Sequence, residues 1–134
     1  MADTLTLHLS EDAWDGDPQF TVDLDGTQIA GPTTVTTPHG FGFQDFSYNG
    51  DFGAGPHTVA VHFLNDAWGG TATTDRNLYV GGIDFNGQHY AGQNADNNAG
   101  NGQTDVDPHA AEMLINGTVT FHDVGASSAS DLLV

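Results

Sequence analysis

The segment Asn65-Asp66-Ala67-Trp68-Gly69-Gly70, closed by Asp75-Arg76-Asn77, holds the chain's best set of hard oxygen donors. Calcium takes roughly six to eight oxygens from carboxylates, amides, backbone carbonyls and water. Asp66 and Asp75 offer carboxylates, and Asn65 and Asn77 offer amide oxygens. Gly69 and Gly70 let the backbone turn sharply enough to aim carbonyls inward. An ion held here with open positions would accept two adjacent sugar hydroxyls in place of water, with Trp68 offering an apolar wall to the ring. The same residues also fit an ordinary turn held by Asx hydrogen bonds, with Trp68 buried.

An echo, Glu11-Asp12-Ala13-Trp14-Asp15-Gly16-Asp17, lies near the N-terminus, and the two Asp-Ala-Trp tripeptides contain both tryptophans of the chain. Its four acids repel one another unless solvated or neutralised by a cation. Glu11, Asp12 and Asp17 are candidate ligands of a structural calcium or of a site shared with the first loop; a solvated acidic turn is the alternative. Trp14 is either a stacking platform or a packed cap on the core. A third stretch, residues 94–105, has oxygen-bearing side chains at alternate positions like an EF-hand loop. Ala99 stands where that loop needs Gly, however, and Asp105 where it needs Glu, so a mobile loop is the better reading.

Other chemistries find less support. The seven histidines, at 8, 39, 57, 62, 89, 109 and 122, form no helical ligand pair. They read as structural or exposed and predict no zinc site. His57 and His62 fall on opposite faces of one strand, their separation being odd. A carboxylate pair at glycosidase spacing must occur by chance among 18 acids and decides nothing. No Gly-x-Ser-x-Gly elbow occurs, and without lysine there is no phosphate-binding Gly-rich Lys motif. The absence of cysteine excludes disulfides and thiolate zinc sites.

The formal charge of −17, with Arg76 as the sole Lys or Arg, would repel nucleic acid and anionic membranes and attract divalent cations. An acidic surface that simply keeps the protein soluble would account for the total, but not for acids clustered with Gly and Trp in two loops. No apolar run approaches the ~18 residues of a membrane span. Met1-Ala2-Asp3 opens no signal peptide, which suggests a module excised from a longer exported parent.

The elements that must position these loops are strands. The 134 residues suffice for one domain, and 18 glycines favour many short elements over long helices. Leu5, Leu7 and Leu9 alternate, as do Phe20, Val22 and Leu24, and Val59, Val61 and Phe63. Asp25-Gly26, Asn86-Gly87 and Asn116-Gly117 predict hairpin turns, and Gly81-Gly82 a bulge. Pro32 and Pro38 bracket a Thr-rich edge strand or loop. The predicted fold class is all-β, an antiparallel β-sandwich of jelly-roll type. The predicted module spans residues 1–124, with 91–108 as a long polar loop or insertion and 125–134 as a linker or tail.

Phe63-Leu64-Asn65-Asp66-Ala67-Trp68-Gly69-Gly70, then Asp75-Arg76-Asn77-Leu78-Tyr79-Val80, Ile83 and Asn86-Gly87, resembles the signature of the calcium-dependent xylan-binding carbohydrate-binding modules, families 36 and 60. The likeness extends more weakly over residues 3–90. It implies a jelly-roll sandwich, no catalysis, and a polysaccharide partner, xylan or a related β-glycan, bound through calcium by adjacent hydroxyls. It further implies a secreted, extracellular setting as a monomeric module of a larger multidomain protein, free of nucleic acid and membrane. A calcium-stabilised structural or adhesion module without sugar affinity is the alternative. Asp66 and Asp75 match the family's acidic positions and are carried over as metal and sugar-binding candidates. Trp68 and Gly70 are candidates through backbone carbonyls, and Trp68 and Trp14 for ring contact. Gly81-Gly82 departs from the family pattern, where an acidic residue is expected after Leu78-Tyr79-Val80, and 91–108 lies outside it.

Overall fold

The computed structural model describes residues 2–102 and 109–125. Its strands run β1 (Asp3–Asp12), β2 (Gln19–Leu24), β3 (Thr27–Thr34), β4 (Gln44–Gly50), β5 (His57–Phe63), β6 (Ala67–Trp68), β7 (Asp75–Phe85), β8 (Gln88–Ala91), β9 (Asp96–Asn97), β10 (Ala111–Met113) and β11 (Gly117–Val124). They form two antiparallel sheets. One follows the order β10-β7-β1-β4, with β6 and β8 also paired to β7; the other runs β3-β2-β5-β11-β9. The predicted β-sandwich is therefore the observed architecture.

Alternation decides what each strand buries. Leu5, Leu7 and Leu9 of β1 and Leu78, Val80, Ile83 and Phe85 of β7 point inward. They meet Phe20 and Val22 of β2, Val59, Val61 and Phe63 of β5, and Val119 and Phe121 of β11. Each such side chain contributes roughly 1.5–3 kcal/mol by leaving water. The outward residues of β1 and β7 are thus free to carry chemistry, and β7 is the scaffold. One of its edges pairs with β1, while its other edge is shared by β6, β10 and β8.

The turns divide. Asp25-Gly26 and Asn86-Gly87 form the predicted hairpins, with φ of 52° and 82°, and of 49° and 86°. The bulge is also present: His8 faces Gly82 and Leu9 faces Val80, leaving Gly81 extra. Asn116-Gly117 makes no hairpin. It carries the chain from β10 in one sheet to β11 in the other, and the Asn116 carboxamide oxygen accepts from the Asp66 N–H at 2.7 Å. Residues 92–102 are also more than the predicted loop. A 3-10 turn at Gly92–Asn94 leads into β9, and buried Ala99 accepts from Leu114 N and Ile115 N. Residues 103–108, Asp105 among them, and the predicted tail beyond Gly125 lie outside the described residues.

His57 points inward at the foot of β5, while His62 is on the opposite face, as their odd spacing predicts. The Nδ1 of His57 lies 2.7 Å from Asp25 Oδ2 and its Nε2 2.9 Å from Gly53 O. The Asp25 partner raises the imidazole above its ordinary value, against burial, while the same pairing lowers Asp25. A raised histidine stabilises the fold fully below its unfolded value near 6.5 and loses that contribution as pH climbs through the folded value. A lowered aspartate contributes above ~4 and loses this as pH falls. Asp25→Asn keeps the turn, because Asn tolerates the left-handed conformation. The expected result is a melting temperature a few degrees lower near pH 6 and a flatter pH profile. A profile unchanged between pH 5 and 8 would dismiss the pair's contribution.

Candidate functional site

The Asn65–Asn77 segment is a short hairpin: Ala67 pairs with Arg76 and Trp68 with Asp75. Its tip is closed by Gly69 N donating to Thr74 O at 2.5 Å and by a 2.8 Å contact between the Thr71 and Thr74 hydroxyls. Gly70 turns with φ of 102°, a conformation that needs glycine. The two Asp-Ala-Trp loops meet here. A Cβ on Gly69 would lie 2.6 Å from Trp14 Cζ2, so the indole of Trp14 packs directly on that backbone.

Arg76 ties the loops together from beneath. Its buried guanidinium donates to Asn65 O at 2.6 Å, Trp14 O at 3.0 Å and Gly16 O at 3.3 Å, and also to Asp15 O. Asn65 is a second brace. Its Oδ1 accepts from Gln19 N at 2.7 Å and its Nδ2 donates to Asp17 O at 3.0 Å. Those bonds turn its amide toward the N-terminal loop.

Asp66 and Asp75 are brought together. With Trp68, Asn101, Leu114 and Ile115 they line a cavity of about 380 Å³. A second cavity of about 390 Å³ is lined by Glu11, Asp12, Ala13, Pro38, Ala72, Thr73 and again Asp75. Asp75 therefore stands between the two acidic loops. Trp68 is 60% exposed, which removes the buried-core reading, whereas Trp14 is half-buried.

The outer face of the sheet continues this polar field. Asp12 sits opposite Asn77 across β1 and β7, and its Oδ2 accepts from Asn77 Nδ2 at 3.0 Å and from the Tyr79 hydroxyl at 2.5 Å. His39 stacks on Tyr79 with ring centroids 3.9 Å apart. Buried Glu112 of β10 lies opposite Tyr79 on its other side. Sequence reading passed over Tyr79, although it follows Asn77 by two and so shares its face. Asn101 was read only within the EF-hand-like stretch and Asn116 only as a turn residue, and Glu112 carries no local signal; the packing of distant strands brings all three here.

The charges are poorly compensated. Burial, then the neighbouring Asp75 charge, raises Asp66; burial, partly offset by Asn77, and then Asp12 raise Asp75. Burial, then the Asp17 carboxyl, pushes Glu11 up to about 8. Three oxygens here, Asp66 Oδ1, Glu11 Oε1 and Asn77 Oδ1, are buried with no hydrogen-bond donor among the described residues. Such groups cost free energy until something satisfies them. All are hard oxygen donors in an acidic cleft, so the residues present fit a calcium ion.

The fold and the cleft define a β-sandwich module of the carbohydrate-binding type. The profile of CBM60, described as a calcium-dependent carbohydrate-binding module, xylan-binding, matches residues 4–99, and this chain belongs to that family. No curated protein matches the chain. Among solved structures, the selenomethionine form of vCBM60 shares 24% identity at a TM-score of 0.69, over 95% of this chain and 96% of that one. It is described among work linking two families of calcium-dependent carbohydrate-binding modules by circular permutation. vCBM60 in complex with galactobiose shares 23% identity at 0.64, over 90% and 99%. These likenesses establish the shared fold.

The two indoles should separate by experiment. Trp68→Ala is expected to weaken polysaccharide binding by about tenfold, with an unchanged melting temperature, because the ring is exposed. Trp14→Ala is expected to cost stability, roughly 2–3 kcal/mol, because it empties the contact with Gly69. Affinity electrophoresis and thermal melts of both variants measure this; a stability loss confined to Trp68→Ala would reverse the assignment.

Proposed function

We propose that this chain is a non-catalytic module that binds β-linked polysaccharide through calcium held by Asp66 and Asp75. The observation that carries it is the cavity these two carboxylates share with exposed Trp68, where Asp66 Oδ1 is buried without a donor among the described residues. When bound, calcium supplies coordination positions that two adjacent sugar hydroxyls take in place of water. Asn65 and Arg76 hold the loop in shape, Asn116 fixes the Asp66 backbone, and Trp68 walls the ring. Trp68 and Gly70 are further metal candidates through their carbonyls, and Asn77 through its unpaired Oδ1. Glu11, Asp12 and Asp17 are the candidates for a second cation beside Asp75, which their carboxylates would have to draw together to hold.

Xylan is the first ligand to test, given the family description, and galactan the second, given the galactobiose bound by a structural relative. The setting is extracellular, as a monomeric unit of a larger polysaccharide-directed protein. Electrophoresis through gels containing each polysaccharide, with calcium or with EDTA, tests the reading. Strong retardation in calcium and none in EDTA is the expected result. Retardation that survives complete calcium removal would refute it, and calcium-dependent stability with no glycan affinity would favour a structural module.

A further inference from the structure

Away from the acidic cleft, strand pairing assembles three residues that sequence spacing keeps far apart. His8 of β1, Asp84 of β7 and His89 of β8 each place a ligand-competent atom within 4.8 Å of the others. Asp84 Oδ2 lies 2.8 Å from His8 Nε2, and Asp84 Oδ1 lies 2.7 Å from His89 Nδ1. The histidines were expected to be scattered; the register of three strands gathers these two around one carboxylate.

We propose that His8, Asp84 and His89 form a binding site for a zinc-class divalent ion, separate from the calcium cleft. Two imidazole nitrogens and a carboxylate suit a borderline metal and not calcium, which prefers oxygen alone. Zinc bonds of about 2.0–2.1 Å at tetrahedral angles place ligand atoms roughly 3.3 Å apart. The two His–Asp84 contacts, at 2.8 and 2.7 Å to different carboxylate oxygens, would lengthen by about half an ångström, and the three ligand atoms, already within 4.8 Å of one another, would close around the ion by side-chain rotation.

The surroundings have the features of a built site. The other nitrogen of His8, Nδ1, is 2.6 Å from Asp45 Oδ1 on β4. A carboxylate behind a ligating imidazole fixes its tautomer and orientation. The bulge at Gly81 sets Gly82 opposite His8, and a Cβ on Gly82 would lie 2.8 Å from His89 Cε1, so the glycine makes room for the second imidazole. Asp84 and His89 pair directly across the β7–β8 hairpin. All three ligands thus stand on paired strands, which position a site more rigidly than loops do. Side-chain exposure rises from 21% at His8 to 57% at His89, leaving an entry path and a position for water. The ion would pin the β7–β8 hairpin to β1. The site faces the same side as Asp12 but four residues back along β1, roughly 13 Å away.

Isothermal titration of the chelator-stripped protein with zinc chloride, in saturating calcium so that the acidic cleft is filled, tests this. One high-affinity zinc per chain is expected, with affinity falling by roughly 10–100-fold in D45N, which removes the carboxylate behind His8, and by more than that in H89A and in D84N, which remove ligands. Cobalt(II) should give the visible bands of a tetrahedral nitrogen-and-oxygen site in wild type and lose them in H89A. The zinc-free melting temperature of H89A should stay within a few degrees of wild type, which shows that the variant is folded and keeps this proposal independent of the sugar reading. No zinc uptake, or equal uptake by wild type and H89A, would overturn it.

Discussion

Asp66→Asn and Asp75→Asn are each expected to reduce polysaccharide affinity by about 100-fold or more, equivalent to ~2.7 kcal/mol, in the presence of calcium. An amide keeps the shape of the side chain but removes the charge that holds the cation. The sign of the accompanying stability change is what separates this from misfolding. Both carboxyls are raised by burial, and Asp66 further by Asp75 and Asp75 by Asp12. A carboxyl raised in the folded state binds its proton more tightly there than in the unfolded chain. Its ionised form therefore destabilises the metal-free fold above pH ~4. Removing that charge should raise the calcium-free melting temperature while abolishing the increment that calcium gives to wild type. Melts with calcium and with EDTA, run beside affinity electrophoresis, read both. A double variant that still binds xylan or galactan in calcium would place the sugar elsewhere on the surface.

Arg76→Met is expected to be the most destabilising single substitution at the site, by roughly 3–5 kcal/mol. The guanidinium is buried, and its contacts are backbone carbonyls: Asn65, Trp14, Gly16 and Asp15. Methionine fills similar volume but takes the side-chain donor from the Asn65, Trp14 and Asp15 carbonyls, Gly16 O keeping the Trp14 N–H at 3.1 Å, and each buried orphan costs about 1–3 kcal/mol before relaxation. Relaxation means the two loops separating, so the melting temperature should drop by roughly 10–20 °C. Calcium affinity should fall with it, because Asp75 would no longer be held between Asp66 and Asp12. Arg76→Lys should recover only part of the loss, since one ammonium cannot reproduce a planar fork reaching both loops. A Met variant that melts within 2–3 °C of wild type would mean the loops are held by Trp14 on Gly69 instead.

Much of the fold was legible because it rests on local rules. Leu5, Leu7 and Leu9 alternate because one face of that part of β1 packs into the core, and Asp25-Gly26 and Asn86-Gly87 turn because both positions need positive φ. Asn116-Gly117 has the same local chemistry and makes no hairpin. The strands on either side of it belong to different sheets, and the Asn116 side chain is taken by Asp66. Local preference was overridden there by a partner 50 residues away.

The sequence by itself determined the class of the protein: alternating strands, two acidic Trp loops, Asp66 and Asp75 as paired carboxylates, and the family likeness that the profile match sustains. Those features depend on residue type and short spacing, which a chain carries before it folds. Only the tertiary structure decided that Trp14 packs on Gly69 while Trp68 faces solvent, that Arg76 spans both loops, and that Asp75 is shared between two cavities. It alone gathered His8, Asp84 and His89 into one cluster. Each of these rests on strand register between segments tens of residues apart. Register is set by which face of every strand is buried at once, a condition that the whole sandwich satisfies and no single window of sequence contains.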